Sequence, residues 1–549
     1  MSTSGDMMDG HNDRGSRPSW RFHPFQPGMQ KRDAFEGEFF KGAEEDETNH
    51  GRTDALVREV IQNSLDAKAS GASRVEVRFA FHNGPESLSG TQASPWLKGL
   101  GDHLRSFRES GVVDPGTLQR VPFLVIEDFG TIGLTGDVRR YSDPGPDHKG
   151  REGFFWFWRN VGRSGKTGQE LGRWGLGKSV FPSSSRLNTF LALSRSIDEP
   201  DRRLLMGQSI LKFHTVGEHE FMPDGFFHVE DDQGLQLPVE DPELLDRFEA
   251  DFRLRRRGAD PGLSVVVLDP IEVISADRLL RSVILHFFVA ILRGQLVVTV
   301  EDAARGSSVT LDQDSLKHRA EGVEWNGKRT EKTHRAPDLD LFRQASAKLE
   351  KSDLIRVAAC PRDKVPAWDE ALLPLDSLDA LRKAFSHGEP LCFEVPIAIQ
   401  KKDGSTVDSK FIVAIQAKEP SARAEDWFVR EGMTISGVTA TGAPRGYHAI
   451  VLIEDGELSS LLGDAEGPAH VTWSSTEKRP DLTYLKWKRR MTFVRLAPDR
   501  LHDYLSPPPE GLERDLFKDL FAVEMPLKRD QGSKGGGTYK RGDPDPPPL

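Results

Sequence analysis

The sequence of 549 residues contains only two cysteines, Cys360 and Cys392. Two cysteines make a disulfide framework or a zinc cluster implausible, and they fit a reducing cytoplasm. The sequence also lacks an apolar run near the ~20 residues that cross a bilayer. Its strongest run, residues 283–292, spans only ten residues and includes a histidine. We therefore predict a buried helix at that position and no membrane segment.

Other absences restrict the class of protein further. The first six residues lack the charged and then apolar pattern of a secretion signal, so we expect a cytoplasmic location. The chain has only five tyrosines, with no recognisable site for a nucleophilic tyrosine around them. A formal net charge of −11 argues against a uniformly basic nucleic-acid-binding protein, although local basic patches stay open. The length predicts two or three domains.

The most informative segment that is present reads Glu59-Val-Ile-Gln-Asn63-Ser-Leu-Asp66-Ala67. On a helix, Glu59, Asn63 and Asp66 recur along one face. A carboxylate with a carboxamide one turn later suits a general base beside a ligand of a hard cation. The alternative is that these side chains are only the solvated face of an amphipathic helix. Two further segments favour the first interpretation.

Those two segments are rich in glycine and follow in order. They read Asp128-Phe-Gly130-Thr-Ile-Gly133 and Gly172-Arg-Trp-Gly175-Leu176-Gly177. Glycine lets the backbone approach a ligand closely, and the exposed N–H groups can receive phosphate oxygens. Together the three segments contain what is needed to hold a nucleotide and to attack it with water.

These segments resemble the GHKL ATPase superfamily of gyrase-type topoisomerases, heat-shock chaperones, histidine kinases, MutL mismatch-repair proteins and MORC proteins. The first family motif, Glu-x-x-x-Asn-x-x-Asp-Ala, is met in full, and so is the third, a glycine-rich lid hinge. The second motif carries one extra residue before Gly133. The fourth, usually Gly-Thr on a late strand, is replaced by Gly262-Leu263-Ser264. The resemblance covers residues 35 to 300.

The resemblance implies that ATP and Mg²⁺ bind to this region. It implies that Glu59 polarises the attacking water, that Asn63 holds Mg²⁺ at the phosphates, and that Asp128 accepts the adenine amino group. The other ATP-binding positions that it implies are Asp66, Ala67, Gly130, Gly133, Gly172, Gly175, Leu176, Gly177, Lys178 and Ser264.

The implied fold is an α/β sandwich, a GHKL (Bergerat) ATPase fold with helices on one face of its sheet. We predict it for residues 21–302, with an ATP lid near 137–177. Strand patterns support the prediction, and they cover residues 75–79, 123–128, 189–194, 204–211, 263–268 and 296–300. Residues 1–20 and 528–549 are predicted to be disordered tails because they are polar and poor in apolar residues.

Residues 303–350 are charged and weakly patterned, which predicts a linker or irregular connection. Residues 351–527 are predicted to form a transducer-like α/β region, whose best strands, 391–400 and 410–417, flank a turn. In the resembling proteins this region usually donates a lysine to the γ-phosphate. Three candidates remain open, Lys401, Lys402 and Lys418.

Three local patterns permit other interpretations. Gly172 to Ser179 also fits the P-loop pattern Gly-x-x-x-x-Gly-Lys-Ser, but the preceding residues are polar and residues 181–185 would stop a helix early. Glu466 near His470 suggests either a metal or acid/base site or, more simply, a loop with a satisfied histidine. Aromatic residues between 20 and 40 suit a strap that crosses to a partner chain or a segment that packs on its own domain.

The resemblance implies an ATP-gated dimeric clamp or switch, and two classes of partner stay open. Two basic runs, one at residues 253–257 and one at 486–490 around Trp487, favour duplex DNA. The acidic balance favours a protein client, as for a chaperone, and short charge runs are often only solvated surface. The resemblance also suggests a bacterial antiviral defence or restriction-linked system, with partner proteins encoded nearby.

Overall fold

The computed structural model describes residues 17–26, 28, 31, 51–106, 119–144, 152–160, 177–325, 336–419, 424–440, 446–467 and 471–506. Its strands are β1 Ser19–Pro24, β2 Val75–His82, β3 Leu88–Ser89, β4 Arg120–Val121, β5 Phe123–Phe129, β6 Thr189–Arg195, β7 Leu204–Ile210, β8 His214–Val216, β9 His219–Glu230, β10 Gln236–Leu237, β11 Gly262–Leu268, β12 Leu296–Asp302, β13 Ser307–Leu311, β14 Ile355–Arg356, β15 Leu391–Gln400, β16 Thr406–Ala417, β17 Glu425–Arg430, β18 Met433–Thr434 and β19 Tyr447–Ile453.

The α-helices in the same ranges are α1 Gly51–Asp66, α2 Gly90–Leu97, α3 Gly101–Ser106, α4 Val180–Ser183, α5 Pro242–Asp251, α6 Ala276–Leu292, α7 Leu316–Gly322, α8 Leu339–Glu350, α9 Leu378–Ser386, α10 Gly456–Asp464, α11 Pro480–Thr483, α12 Trp487–Arg495 and α13 Ala497–Leu505. None of the helices in the described ranges combines the length and the apolar character needed to cross a bilayer.

The first sheet has the strand order β1-β9-β7-β6-β11-β5-β2-β12-β13, with β8 and β10 paired to β9. Neighbouring strands are antiparallel, except that β12 runs parallel to β2. All six strands predicted in this part of the chain are present, and residues 283–292 lie in α6 as predicted. The α/β fold class is therefore confirmed.

Helices cover both faces of this sheet, which differs from the prediction of one covered face. Leu124 and Ile126 of β5 pack in the core that contains α1 and α6. Phe123 and Val125, which point the other way, pack in a second core with α2, α3 and α5. Side chains alternate between faces along a strand, so a fully apolar strand such as β5 requires cover on both sides.

The second sheet has the order β14-β15-β16-β19-β17-β18 and includes the predicted hairpin. Its core is continuous with that of α1 and α6. At the junction, Phe288 of α6 makes edge-on ring contacts with Trp427 at 6.2 Å and with Phe342 at 5.8 Å. An apolar core shared across both sheets fixes the second sheet against the helices that carry the predicted site.

The described part of residues 303–350 is regular, which corrects the prediction of an irregular connection. It holds β13, which pairs with β12, and the helices α7 and α8. The helix α8 is amphipathic, and it buries Leu339, Leu341, Phe342 and Ala345 in the common core. Packing of one apolar face against the core stabilises such a helix.

The N-terminal strand β1 packs on its own domain and begins at Ser19, which corrects the end of the tail predicted over residues 1–20. It pairs antiparallel with β9, and Trp20 is 2% exposed with its Nε1 donating to the Trp96 carbonyl at 2.7 Å. In the described residues, the aromatic segment therefore packs on its own domain, which is the second of its two predicted arrangements. Phe35, Phe39 and Phe40 lie outside the described residues.

Candidate nucleotide site

Helix α1 presents the predicted acid and amide side by side. Glu59 is 8% exposed, whereas Asn63, one turn later, is exposed. The Asn63 amide nitrogen lies 3.5 Å from Oε2 of Glu59. The opposite side of α1 is anchored in the core through Leu56, Val57 and Ile61. The helix therefore keeps one polar edge for chemistry while its other faces are held in place.

Asp128 stands at the end of β5 and is held by groups from three segments. Its Oδ1 accepts from the Thr131 hydroxyl at 2.7 Å and from the Leu263 N–H at 2.8 Å. Its Oδ2 lies 3.3 Å from the Ser64 hydroxyl of α1. The carboxylate is 13% exposed. These bonds fix its orientation while leaving an accessible acceptor beside the Asn63 edge of α1.

The loop after Asp128 lies against the C-terminal end of α1. The Ile132 N–H donates to the Ala67 carbonyl at 2.9 Å, and the Ala69 N–H donates to the Gly130 carbonyl at 2.9 Å. Asp66, the last residue of α1, is half-buried at this junction. The structure therefore brings together Asp66, Ala67 and the second glycine segment, which are separated in sequence.

Gly130 and Gly133 both require the absence of a side chain. Their φ angles are +74° and +67°, in the left-handed region. A Cβ atom at Gly130 would lie 2.5 Å from the Arg74 carbonyl oxygen, and one at Gly133 would overlap the Arg195 carbonyl. The glycines thus allow this loop to fit between two neighbouring backbone segments.

Ser264 lies in a buried polar cluster beneath Asp128. It is opposite Glu127 in the β5–β11 register, and its hydroxyl donates to Oε1 of Glu127 at 3.1 Å. The same hydroxyl accepts from Nε of Arg256 at 3.2 Å, and Ser264 is fully buried. The hydroxyl therefore has a clear role in holding β11 beside Asp128, and its contact with a nucleotide stays a prediction.

Arg256 and Glu127 are functional-site residues that sequence reasoning missed. The Arg256 guanidinium is 1% exposed, lies 3.6 Å from Oδ1 of Asp128, and donates to the Asp128 carbonyl. Glu127 accepts at 2.8 Å from Arg78. No local pattern identifies these residues, because their partners come from distant strands. Ser64 and Thr131 were also missed, although each is an internal position of a recognised motif.

The third segment is described only from Gly177 onward, so Gly172, Gly175 and Leu176 lie outside the described residues. Gly177–Ser179 forms a 3₁₀ turn, with Lys178 9% exposed, and packs against α1. The helix α4 that follows ends at Ser183. This early end was expected from the sequence, and it is unlike the long helix that follows a P-loop.

Part of the predicted lid is described, and it lies next to the second glycine segment. The Phe154 N–H donates to the Thr135 carbonyl at 2.9 Å. Glu152 accepts from the Asp137 N–H at 3.2 Å and pairs with Arg140 at 3.0 Å. Residues 152–154 of the lid region are therefore hydrogen-bonded to residues 135–137, which follow the second glycine segment in the chain.

A magnesium ion at this site would be held by few protein atoms. In the described part of the chain, no cluster of three or more histidine, cysteine or acidic side chains could ligate a metal ion. Asn63 turns its amide nitrogen toward Glu59, so its carbonyl oxygen is the atom directed away from that carboxylate. A single oxygen ligand fits Mg²⁺, which takes its remaining ligands from water and substrate phosphates.

The three candidate lysines lie at two different ends of the second sheet. Lys418 follows β16 where that strand pairs with the start of β19, and its ammonium lies 3.1 Å from Asp338. Lys401 and Lys402 lie in the β15–β16 turn at the opposite end, and Lys401 pairs with Glu457 at 2.7 Å. Arg430 also lies at that second end. The contact of any of the three lysines with a γ-phosphate stays a prediction.

Much of both basic runs is structural. In the first run Arg256 is buried, Arg253 pairs with Glu86, and Arg257 donates to backbone carbonyls. In the second run Trp487 is 2% exposed, and Arg490 is fully buried with its Nε donating to the Ala398 carbonyl at 2.6 Å. Trp487 and Arg490 are therefore part of the interior and do not contribute to a basic surface.

Glu466 is not part of an exposed acid/base site. It is fully buried and accepts two hydrogen bonds of 2.7 Å from Arg430. His470 lies outside the described residues. The two carboxylate oxygens of Glu466 are thus engaged in the interior of the protein.

Comparison with known proteins gives structural similarities only. No family model matches the chain, and no curated protein matches it significantly. The chain is similar to the ATPase domain of Thermus thermophilus gyrase B in complex with an aminocoumarin. The two sequences are 12% identical, the match covers 72% of this chain and 74% of that chain, and the TM-score is 0.24.

It is also similar to the ATP-binding domain of Francisella tularensis topoisomerase IV, with 11% identity, 82% of this chain and 89% of that chain covered, and a TM-score of 0.30. The ATPase region of Saccharomyces cerevisiae topoisomerase II gives 8% identity, 82% and 86% coverage, and a TM-score of 0.31. At these identities and TM-scores, the similarities carry no conclusion about the activity of this chain.

Proposed function

We propose that this protein is a GHKL-type ATPase that binds Mg–ATP and hydrolyses it slowly. The carrying observation is the placement of Asp128, a fixed and partly accessible carboxylate, beside the Glu59–Asn63 edge of α1. A carboxylate accepts from the exocyclic amine of adenine. It disfavours guanine, whose carbonyl oxygen would place two acceptors against each other.

Glu59 would act as the general base. It takes a proton from water as the water oxygen bonds to the γ-phosphorus, and the bond to the β,γ-bridging oxygen breaks so that ADP leaves with the electron pair. Asn63 would hold Mg²⁺, which neutralises charge on the phosphates when it is bound. The low exposure of Glu59 limits the number of waters around it, which favours a single positioned nucleophile.

The test combines nucleotide binding with phosphate release. Glu59→Gln should retain ATP binding and lose at least about a hundredfold in turnover, which is the usual size of a general-base contribution. Asp128→Asn should lose binding itself, because its amide presents a donor to the adenine amine. Glu76→Gln, an exposed glutamate on β2, serves as the control and should change neither. Wild-type protein that ignores ATP in the presence of magnesium would contradict the proposal.

We also propose that ATP closes the lid and dimerises the protein, as the family resemblance implies. Support comes from the described lid region, in which residues 152–154 hydrogen-bond to residues 135–137, directly after the Asp128–Gly133 segment. Mass photometry with a non-hydrolysable ATP analogue should show a dimer. A protein that stays monomeric with saturating analogue would remove the clamp.

Duplex DNA is the partner favoured by one surface feature, and a protein client is the alternative. Lys486, Lys488 and Arg489 are exposed. Lys402 is a fourth exposed cation nearby, because its backbone N–H donates to the Thr483 carbonyl at 2.9 Å. Adjacent cations can neutralise phosphates. A role in bacterial antiviral defence rests on the resemblance, and a nuclease or methyltransferase gene next door would support it.

A further inference from the structure

A buried carboxylate anchors the backbone at residues 255 and 256 to the strand β5. Glu127, the residue before Asp128 in β5, is fully buried. Its Oε2 accepts from the Arg255 N–H at 2.8 Å, and its Oε1 accepts from the Arg256 N–H at 3.1 Å. Oε2 also accepts from Nη1 of Arg78 at 2.8 Å. Glu127 therefore holds the backbone of Arg256 beside the strand that carries Asp128.

The Arg256 side chain extends from this anchored backbone to the main chain around Asp128. Its guanidinium donates to the Asp128 carbonyl, to the Leu263 carbonyl at 3.1 Å and to the Pro261 carbonyl at 2.5 Å. Its Nη2 also lies 3.6 Å from Oδ1 of Asp128. Because the guanidinium is almost completely buried, these oxygens replace water as the partners of its charge. One buried cation therefore joins the end of β5 to the start of β11.

Gly262, the first residue of β11, permits this close approach. Its φ is +136°, a conformation that favours glycine. A Cβ atom at this position would lie 2.5 Å from Nη1 of Arg256 and 2.6 Å from Oδ1 of Asp128. The guanidinium and the carboxylate therefore fill the volume that any side chain at residue 262 would need.

The two carboxylate oxygens of Asp128 have different surroundings. Oδ1 accepts from the Leu263 N–H at 2.8 Å and from the Thr131 hydroxyl at 2.7 Å, and it faces the Arg256 guanidinium. Oδ2 lies 3.3 Å from the Ser64 hydroxyl, which leaves it capacity to accept from a further donor. Because Arg256 also holds Leu263 through the carbonyl of that residue, it fixes the N–H group that occupies Oδ1.

We propose that Arg256 is a positioning residue for adenine recognition, acting through Asp128. It keeps Oδ1 engaged with β11, so that Oδ2 is the acceptor presented to the exocyclic amine of the base. Without the guanidinium, the end of β5 and the start of β11 lose their common partner, and the carboxylate can turn away from the amine. This inference rests on the proposed ATPase function and adds the residue that sets its preference for adenine.

The experiment compares the binding of ATP and of purine riboside triphosphate, which lacks the exocyclic amine, to the full chain with Mg²⁺. Competition against a fluorescent ATP analogue gives both affinities. Wild type should prefer ATP at least about tenfold, the size of one hydrogen bond to a charged group. Arg256→Met should reduce this preference to less than about threefold and change the affinity for the deaminated analogue by less than about threefold. A purely structural role would weaken the binding of both ligands equally and keep their ratio.

Arg490→Met is the matched control, because Arg490 is also fully buried and also donates to a main-chain carbonyl, that of Ala398. It should lower the melting temperature and keep the wild-type preference for ATP. If Arg256→Met does not fold, Arg256→Lys decides the question. Lysine keeps the charge but lacks the planar set of donors, so the preference should still fall at least about threefold.

An ATP preference that stays at the wild-type value in a folded Arg256 variant overturns the positioning role, while ATP binding by wild type still supports the proposed function. Wild-type protein that binds ATP and the deaminated analogue equally overturns the assignment of Asp128 to the adenine amine, and the positioning role with it. Wild-type protein that binds neither nucleotide removes the proposed function itself.

Discussion

The Ser64 hydroxyl of α1 lies 3.3 Å from Oδ2 of Asp128 at the end of β5. The single hydroxyl proton is shared between this carboxylate and the Val60 carbonyl within the helix, 2.8 Å away. This contact joins the helix that carries Glu59 and Asn63 to the carboxylate that we assign to adenine. In the proposed function, base recognition and water activation would therefore be linked through Ser64.

The first prediction concerns this connection. Ser64→Ala should weaken ATP binding about three- to tenfold, because the loss of one hydrogen bond to a carboxylate corresponds to about 0.5–1.5 kcal/mol. Titration with a fluorescent ATP analogue measures the effect. Ser89→Ala, which removes the N-cap of α2 far from the site, should lower stability and leave affinity unchanged. Equal affinities for Ser64→Ala and wild type would refute the connection.

The second prediction separates backbone strain from steric overlap. Gly133→Ala should destabilise the fold by about 3 kcal/mol or more, since it adds a backbone overlap to an unfavourable φ of +67°. Gly217→Ala has a similar φ of +62° with nothing within 4 Å of the new Cβ, and should lose only about 1 kcal/mol. Urea unfolding measures both, and similar losses would show that the Arg195 contact is unimportant.

The third prediction distinguishes surface cations from structural ones. Replacing Lys486, Lys488 and Arg489 with alanine should remove any stimulation of ATP turnover by long duplex DNA at low salt. The melting temperature should stay within about two degrees of wild type, because substitutions of exposed residues change stability little. Arg490→Ala should instead lower the melting temperature by several degrees, since it empties a buried site and leaves the Ala398 carbonyl without its donor. If DNA leaves wild-type turnover unchanged, a protein client becomes the better candidate.

The fourth prediction concerns acid stability. Burial lowers the pKa of His103 to about 4, with a further contribution from the nearby His214. Because the unfolded pKa is about 6.5, the unfolded chain binds the proton first, and the stability of the fold should decrease as pH falls from about 6.5 to 4. His103→Gln should flatten this slope in chemical denaturation measured at several pH values. His219→Gln, at an exposed position where β9 pairs with β8, is the control for the substitution itself.

The sequence alone determined the features that depend on local pattern. Apolar runs bounded by turn residues predicted β2, β5, β6, β7, β11, β12 and the hairpin of the second sheet, and the structure contains each of them. The spacing of Glu59 and Asn63 placed them on one helical edge, since the helical repeat is fixed by the backbone. The motif order also predicted that Asp66, Ala67 and the Gly130–Gly133 loop belong to one site, and the structure brings these residues together.

Only the tertiary structure decided which charged side chains are exposed and can contact a ligand or partner. In the sequence, Arg256, Arg490 and Glu466 cannot be distinguished from arginines and glutamates on the surface. In the structure, each of the three is buried with a specific partner. Those partners are set by strand register and by packing between sheets, which join segments far apart in the chain. The same kind of contact holds β13, α7 and α8 in a part of the chain for which we predicted an irregular connection. Local periodicity predicts the elements, whereas burial, which depends on what packs against each face, decides the role of a side chain.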